Sequence, residues 1–185
     1  MEKYVYNLTD FAHRVSNDGG ATWESSDNLK KFKLPDIEPG AQEVSGYSGL
    51  NGTIQIVDWA AIGALELALT YATMPECTKV YSPEKQDHQL VWVEQYTDKN
   101  GNVGWMTYRA YITAMLKKIP GGDNSKGENS EKEFTYGINS YKLTRKSTEE
   151  GGEDAVVIDY DPINKHLVLG GVNFGSKLAT ALASF

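Results

Sequence analysis

Apolar and polar side chains alternate almost without a break from Val103 to Ile119. Met106, Tyr108, Ala110, Ile112, Ala114 and Leu116 share one face of that run, and Trp105, Thr107, Arg109, Tyr111, Thr113 and Lys117 share the other. A period of two over so many residues predicts a long strand, and the mixed polarity of its second face predicts that both faces are partly covered. Leu90 to Thr97 is the expected hairpin partner, joined through Asp98-Lys99-Asn100-Gly101-Asn102, where Asn-Gly supplies positive φ angles. Phe134, Tyr136 and Ile138 alternate in the next run, but Tyr141 and Leu143 continue out of phase, which predicts a bulge near Asn139-Ser140. Ala155 to Tyr160 and Lys165 to Leu169 predict a further hairpin about Asp161-Pro162-Ile163-Asn164. Leu29 to Leu34 and Thr53 to Val57 are shorter strand candidates.

Leu65 to Thr73 fits two templates. Ile62, Leu65 and Leu69 have helical spacing, while Leu65, Leu67, Leu69 and Tyr71 alternate strictly; the surrounding β content favours strand. Helices are expected only near Pro75 to Ser82 and from Ser176 to Ala183, with Ser176 as N-cap after Gly175. Pro120 to Ser130 is a polar loop with no apolar side chain after the proline, and Thr148 to Asp154 is an acidic, glycine-bearing one. The fold expected is mainly β: one domain over 1–185, an antiparallel β-sandwich or barrel with a short flanking helix and a short C-terminal helix. An extended loop over about 35–53 and the long polar loop at about 120–130 interrupt it.

Charge narrows the function. Among 185 residues, 18 Lys and Arg stand against 25 Asp and Glu, a formal net charge of −7. That balance argues against a sequence-independent nucleic-acid binder and against docking on an anionic membrane. The N-terminus has no apolar core of signal-peptide length, and Trp59 to Thr73 is too short and too polar to span a bilayer. Cys77 is the single cysteine, so no internal disulfide and no paired-cysteine zinc site are expected.

Catalytic patterns fail one by one. His13, His88 and His166 have no metal-ligand spacing and are expected to be satisfied core or surface histidines. The Asp98 turn begins like a calcium loop, but Val103 stands where glycine is needed and Arg109 where a glutamate belongs. Gly170-Gly171-Val172-Asn173-Phe174-Gly175-Ser176-Lys177 misses the phosphate-loop pattern because Ser176 separates Lys177 from the last glycine. Cys77 has no recognisable histidine partner, and Glu149-Glu150 and Glu153-Asp154 sit in a solvated loop. No enzyme, cofactor or metal is expected. Trp92, Trp105, Tyr108 and Tyr136 are expected to be core side chains on paired strands, with subunit contact and a sugar-stacking platform as the other uses of the aromatics.

The order of segments resembles the major tail tube proteins of contractile phage tails and R-type pyocins, from about Leu8 to Leu182. The matching pieces are Lys33-Leu34-Pro35, Gly46-Tyr47-Ser48-Gly49-Leu50-Asn51-Gly52, Ala64-Leu65-Glu66-Leu67-Ala68-Leu69-Thr70 and Leu116-Lys117-Lys118-Ile119. Asn139-Ser140-Tyr141-Lys142-Leu143 follows, then Ile158-Asp159-Tyr160-Asp161-Pro162-Ile163-Asn164 and Gly170-Gly171-Val172-Asn173. The family's longer mid-chain helix has no clear counterpart, Met74 to Gln86 being shortened.

The resemblance implies a tail-tube-like fold and a structural subunit of stacked hexameric rings that form a conduit for genome or effector. Its implied partners are itself, the tail sheath, baseplate and terminator proteins, and tape measure protein or DNA passing without specific binding. No membrane binding by the isolated subunit is expected, and the implied location is the virion tail, assembled in the host cytoplasm. An acidic subunit suits a conduit that must not hold DNA. Pro35, Glu38, Tyr47, Leu50 and Asn51 are expected to contact a neighbouring subunit, since that stretch is extended and short of apolar residues; Pro120, Asp123 and Lys126 are expected at a ring or sheath contact. Thr107, Arg109 and Thr113 are expected to face the lumen. The alternatives are the tube protein of a type VI secretion system or headless tailocin and, from a different class, a β-sandwich carbohydrate-binding module.

Overall fold

The computed structural model describes residues 3–45, 53–59, 61–98, 100–121, 131–147, 154–164 and 166–174. Their strands are β1 (Lys3–Ser16), β2 (Glu24–Ser25), β3 (Leu29–Lys33), β4 (Gly40–Ser45), β5 (Thr53–Asp58) and β6 (Glu66–Tyr71). β7 (Lys85–Asp98), β8 (Val103–Lys118), β9 (Lys132–Ser147), β10 (Ala155–Asp161), β11 (His166–Leu169) and β12 (Val172–Asn173) complete the set. The helix expected near Pro75 to Ser82 is a single 3-10 turn, Thr78–Tyr81. The C-terminal helix expected from Ser176 lies outside the described residues.

Ten strands form one antiparallel sheet in the order β12-β11-β10-β9-β8-β7-β1-β2, with β6 on β9 and β3 on β6. β9 is long enough to serve two neighbours on one edge. Its first half, Lys132 to Gly137, pairs β6, and its second, Tyr141 to Arg145, pairs β10. The ring β1-β7-β8-β9-β6-β3 closes because β2 pairs β1 and β3, four residues further on, pairs β6. The sheet therefore curls into a barrel, with β10, β11 and β12 as a flange.

Period-two patterning decides which side is inside. Met106, Ala110, Ile112 and Ala114 of β8 are buried, while Arg109, Tyr111 and Met115 are exposed. The bulge expected in β9 is present: Thr113 pairs Ser140 and Ala114 pairs Ile138, so Asn139 is the extra residue. That insertion returns Tyr141 and Leu143 to the core side, at 2% and 9% exposure. Gly101 closes the β7–β8 turn at φ 82°. Asp98 stabilises the same turn by accepting from the backbone N–H groups of Asn100 and Asn102, both at 2.8 Å.

The core is aromatic. Phe11 meets Phe32 edge-on and Phe32 meets Trp92, both at 5.3 Å between centroids, so β3 packs across β1 and β7. Tyr71 and Tyr81 each meet Phe134 edge-on. Tyr136 Oη donates to the Val80 carbonyl at 3.1 Å, which fixes the 3-10 turn over one mouth of the barrel. Trp92 and Tyr136 are core as expected, and Tyr108 is half-buried against Trp92. Trp105 corrects the expectation: it is 38% exposed because it falls on the odd-numbered, outward face of β8.

Candidate functional site

Three features of this fold face outward. The first is the far face of the sheet, on which opposite residues of paired strands form rows. Arg14, Gln89, Tyr111, Lys142 and Asp159 make one such row across β1, β7, β8, β9 and β10. The neighbouring row carries Val91, Arg109 and Thr144, and the next Asp10, Val93, Thr107 and Lys146. Thr107, Arg109 and Thr113, expected to line a lumen, all lie on this face. Thr113 Oγ1 donates to Asp87 Oδ1 at 2.7 Å, and Asp159 sits 3.4 Å from Lys142 and 3.7 Å from His166. Arg14, Arg109, Lys142 and Lys146 oppose Asp10, Asp87 and Asp159 here, so the face is close to neutral on a chain of net charge −7. A groove of about 390 Å³ at one end of it is lined by Trp23, Tyr111, Lys142 and Tyr160 among others.

The second feature is an open edge. β1 pairs β7 along its whole length, but on its other side β2 reaches only Arg14 and Val15. Among the described residues no strand pairs that side from Lys3 to Ala12. Ten residues at about 3.4 Å each make an edge roughly 34 Å long. A strand edge of that length is a template for strand addition unless something covers it.

The third is the β4–β5 hairpin. Its two strands pair only each other, from Gly40 with Asp58 to Ser45 with Thr53, and form a sheet separate from the barrel. The stretch expected to be an extended loop is thus a strand from Gly40 to Ser45. The hairpin is anchored at its base, where Gly40 N–H donates to the Ala61 carbonyl at 2.8 Å and the Trp59 ring lies 5.7 Å from Phe174. Pro35 is half-buried and Glu38 exposed beside that base; Pro120 follows β8. Tyr47, Leu50, Asn51, Asp123 and Lys126 lie outside the described residues. Sequence reasoning missed the length of β1 because Thr9 is a bulge between Leu8, opposite Glu94, and Asp10, opposite Val93. The apolar phase changes there, from Tyr4, Tyr6 and Leu8 to Phe11, His13 and Val15.

Among the described residues no group of three His, Cys, Asp or Glu could hold a metal, and no helix is long and apolar enough to cross a membrane. His13 and His88 are paired inside the core and His166 lies half-buried beside Asp159; His88 departs from the expected satisfied histidine, since its buried Nε2 has no partner among the described residues. Burial and a bond to Glu24 raise the Cys77 thiol above its ordinary value, away from nucleophilic reactivity.

A curled sheet with an open edge, a projecting hairpin and a broad polar face defines a subunit for assembly. The family described as phage tail tube protein FII matches residues 24–182, and the chain belongs to that family. Its role is that of a tail tube subunit. Among solved structures it is similar, at 14% identity, to a chain of the PVC sheath/tube terminator of an extracellular contractile injection system in the extended state. That likeness has a TM-score of 0.50 and covers 76% of this chain and 96% of that one. The PVC sheath-tube complex in the extended state follows at TM-score 0.46 and 14% identity, covering 72% of this chain and 86% of the other. The anti-feeding prophage cap (AFP tube terminating cap) has a TM-score of 0.45 and 14% identity, over 76% and 92%. No curated protein sequence matches significantly.

Proposed function

We propose that the subunit polymerises as hexameric rings stacked into the tube of a contractile phage tail, and that the tube conducts the genome. The observation that carries this reading is the open edge of β1, Lys3 to Ala12, on a sheet whose other end is the short β11–β12 pair. A neighbouring copy adding a strand there would satisfy the edge and make the sheet continuous between subunits. The far face of that sheet then lines the lumen with Thr107, Arg109 and Thr113. Its near-neutral balance, with Lys142 held by Asp159, supports passage of DNA without tight phosphate binding.

The β4–β5 hairpin and its flanks, Pro35, Glu38, Tyr47, Leu50 and Asn51, reach a neighbouring subunit in this reading. Pro120, Asp123 and Lys126 meet the next ring or the sheath. Sheath, baseplate and terminator proteins are the partners, with tape measure protein or DNA in the lumen. Assembly takes place in the host cytoplasm, and the subunit acts as a scaffold with no catalysis. Deleting Glu38 to Ser45 tests the arm. β4 contributes no pairing to the barrel, so the variant is expected to stay a folded, β-rich monomer by circular dichroism and sedimentation and to lose polymerisation. Normal tubes from the variant would refute the arm's role.

A further inference from the structure

The barrel is held by little backbone where it closes. β2 pairs β1 only at Arg14 with Ser25 and Val15 with Glu24, and one more bond, Ser26 N–H to the His13 carbonyl at 3.0 Å, extends the seam. Inside the barrel a chain of side chains spans it. Ser26 Oγ lies 2.9 Å from Tyr71 Oη, Tyr71 Oη 3.4 Å from His13 Nδ1, and His13 Nε2 3.0 Å from His88 Nδ1. All four residues are buried, and they come from β1, β6, β7 and the link between β2 and β3.

Two proton orders fit these contacts: Ser26 to Tyr71 to His13 to His88, with each imidazole proton on Nε2, or the reverse, with each on Nδ1. Among the described residues His88 Nε2 has no hydrogen-bond partner, and the nearest ring is Tyr136, 4.5 Å away at 63°. One added proton leaves the His13–His88 bond in place, and a second sets N–H against N–H at 3.0 Å. The titratable groups around the pair are Tyr71 from β6 and Tyr136 from β9, with Tyr81 and Cys77 near them. All are neutral in acid, and among the described residues no carboxylate bonds either imidazole.

We propose that this chain is an acid-sensitive latch on the barrel seam: proton uptake by His13 and His88 releases the segment Glu24 to Ser26 from β1 while β7, β8 and β9 stay paired. Burial holds His13 down at about 3 and His88 well below the ordinary 6.5, with His13 the second cause for His88. Opening returns both rings to water and to the ordinary value. The open form therefore binds more protons below about pH 6.5; the latch holds above that pH and weakens steadily beneath it. From pH 7.5 to 5.0 the opening equilibrium rises roughly thirtyfold for each histidine released, and about a thousandfold for both.

Amide hydrogen exchange on the intact chain, corrected for intrinsic rates, reads this directly. Protection of Glu24 to Ser26 is expected to fall at least about thirtyfold between those pH values, while His88 to Val93 and Ala110 to Ile112 fall less than tenfold. Unchanged protection at the seam, or an equal loss at the seam and in β7 and β8, would overturn the latch. The double variant His13→Leu, His88→Phe should keep its seam protection at pH 5.0, and loss of protection equal to the parent's would count against the proposal. A measurement needing no variant is imidazole nitrogen NMR at pH 5.5. Neutral rings in the closed form support the latch, and an imidazolium there contradicts it.

Discussion

Inserting an alanine after Asn139 perturbs the bulge that keeps both halves of β9 correctly faced. Before the bulge, Phe134, Tyr136 and Ile138 point into the barrel; after it, Tyr141 and Leu143 do. With a second extra residue the second half rotates, sending Tyr141 and Leu143 outward and Lys142 and Thr144 inward. Each of the two displaced side chains loses about 1.5–3 kcal/mol of burial, so roughly 3–6 kcal/mol together. Burying the Lys142 ammonium away from Asp159 costs several kcal/mol more. The sum rivals the whole stability of a typical domain, about 5–15 kcal/mol. Urea denaturation followed by tryptophan fluorescence should show a variant unfolded or nearly so in buffer. Asn139→Ala keeps the residue count and is expected to cost about 1 kcal/mol or less. An insertion no more costly than that substitution would refute the role given to the bulge.

Gly104→Ala would place a Cβ 2.4 Å from Cζ of Tyr96, a side chain only 2% exposed, and is expected to cost about 1–3 kcal/mol by thermal denaturation. Tyr136→Phe removes the bond to the Val80 carbonyl and should cost about 1 kcal/mol in denaturant midpoint, with faster exchange in the 3-10 turn. Hydrogen bonds from Ser16 and Thr22 to Asp18, from Asn102 to Asp98 and from Asn164 to Asp161 hold these carboxyls below their ordinary 3.8. Their contribution is present above that value and lost as pH falls beneath it, so the denaturation midpoint should drop further between about pH 4 and pH 2.

Alternation made β7 and β8 readable, because each keeps one buried face over a long run. The phase break between Ile138 and Tyr141 was visible for the same reason, since a shift in an otherwise strict period requires an extra residue. The break in β1 was not, because it falls between Leu8 and Phe11 in a strand whose polar residues sit on both sides of it. β4 was hidden differently. Gly40 to Ser45 has little apolar content and pairs only β5, so its strand state rests on backbone bonds that leave no hydrophobic signature. Trp105 misled because a large aromatic at a strand position reads as core, whereas its parity with Arg109 already put it outside. The His13–His88 pair is separated by 75 residues, and only the register of β1 on β7 brings the two together.

Cryo-electron microscopy of the purified protein concentrated until it polymerises addresses the central claim most directly. The expected result is a hollow tube of stacked hexameric rings, with a neighbour's strand paired along Lys3 to Ala12 and Thr107, Arg109 and Thr113 facing the lumen. A tube in which that edge of β1 is left unpaired, or an assembly with no lumen, would contradict it.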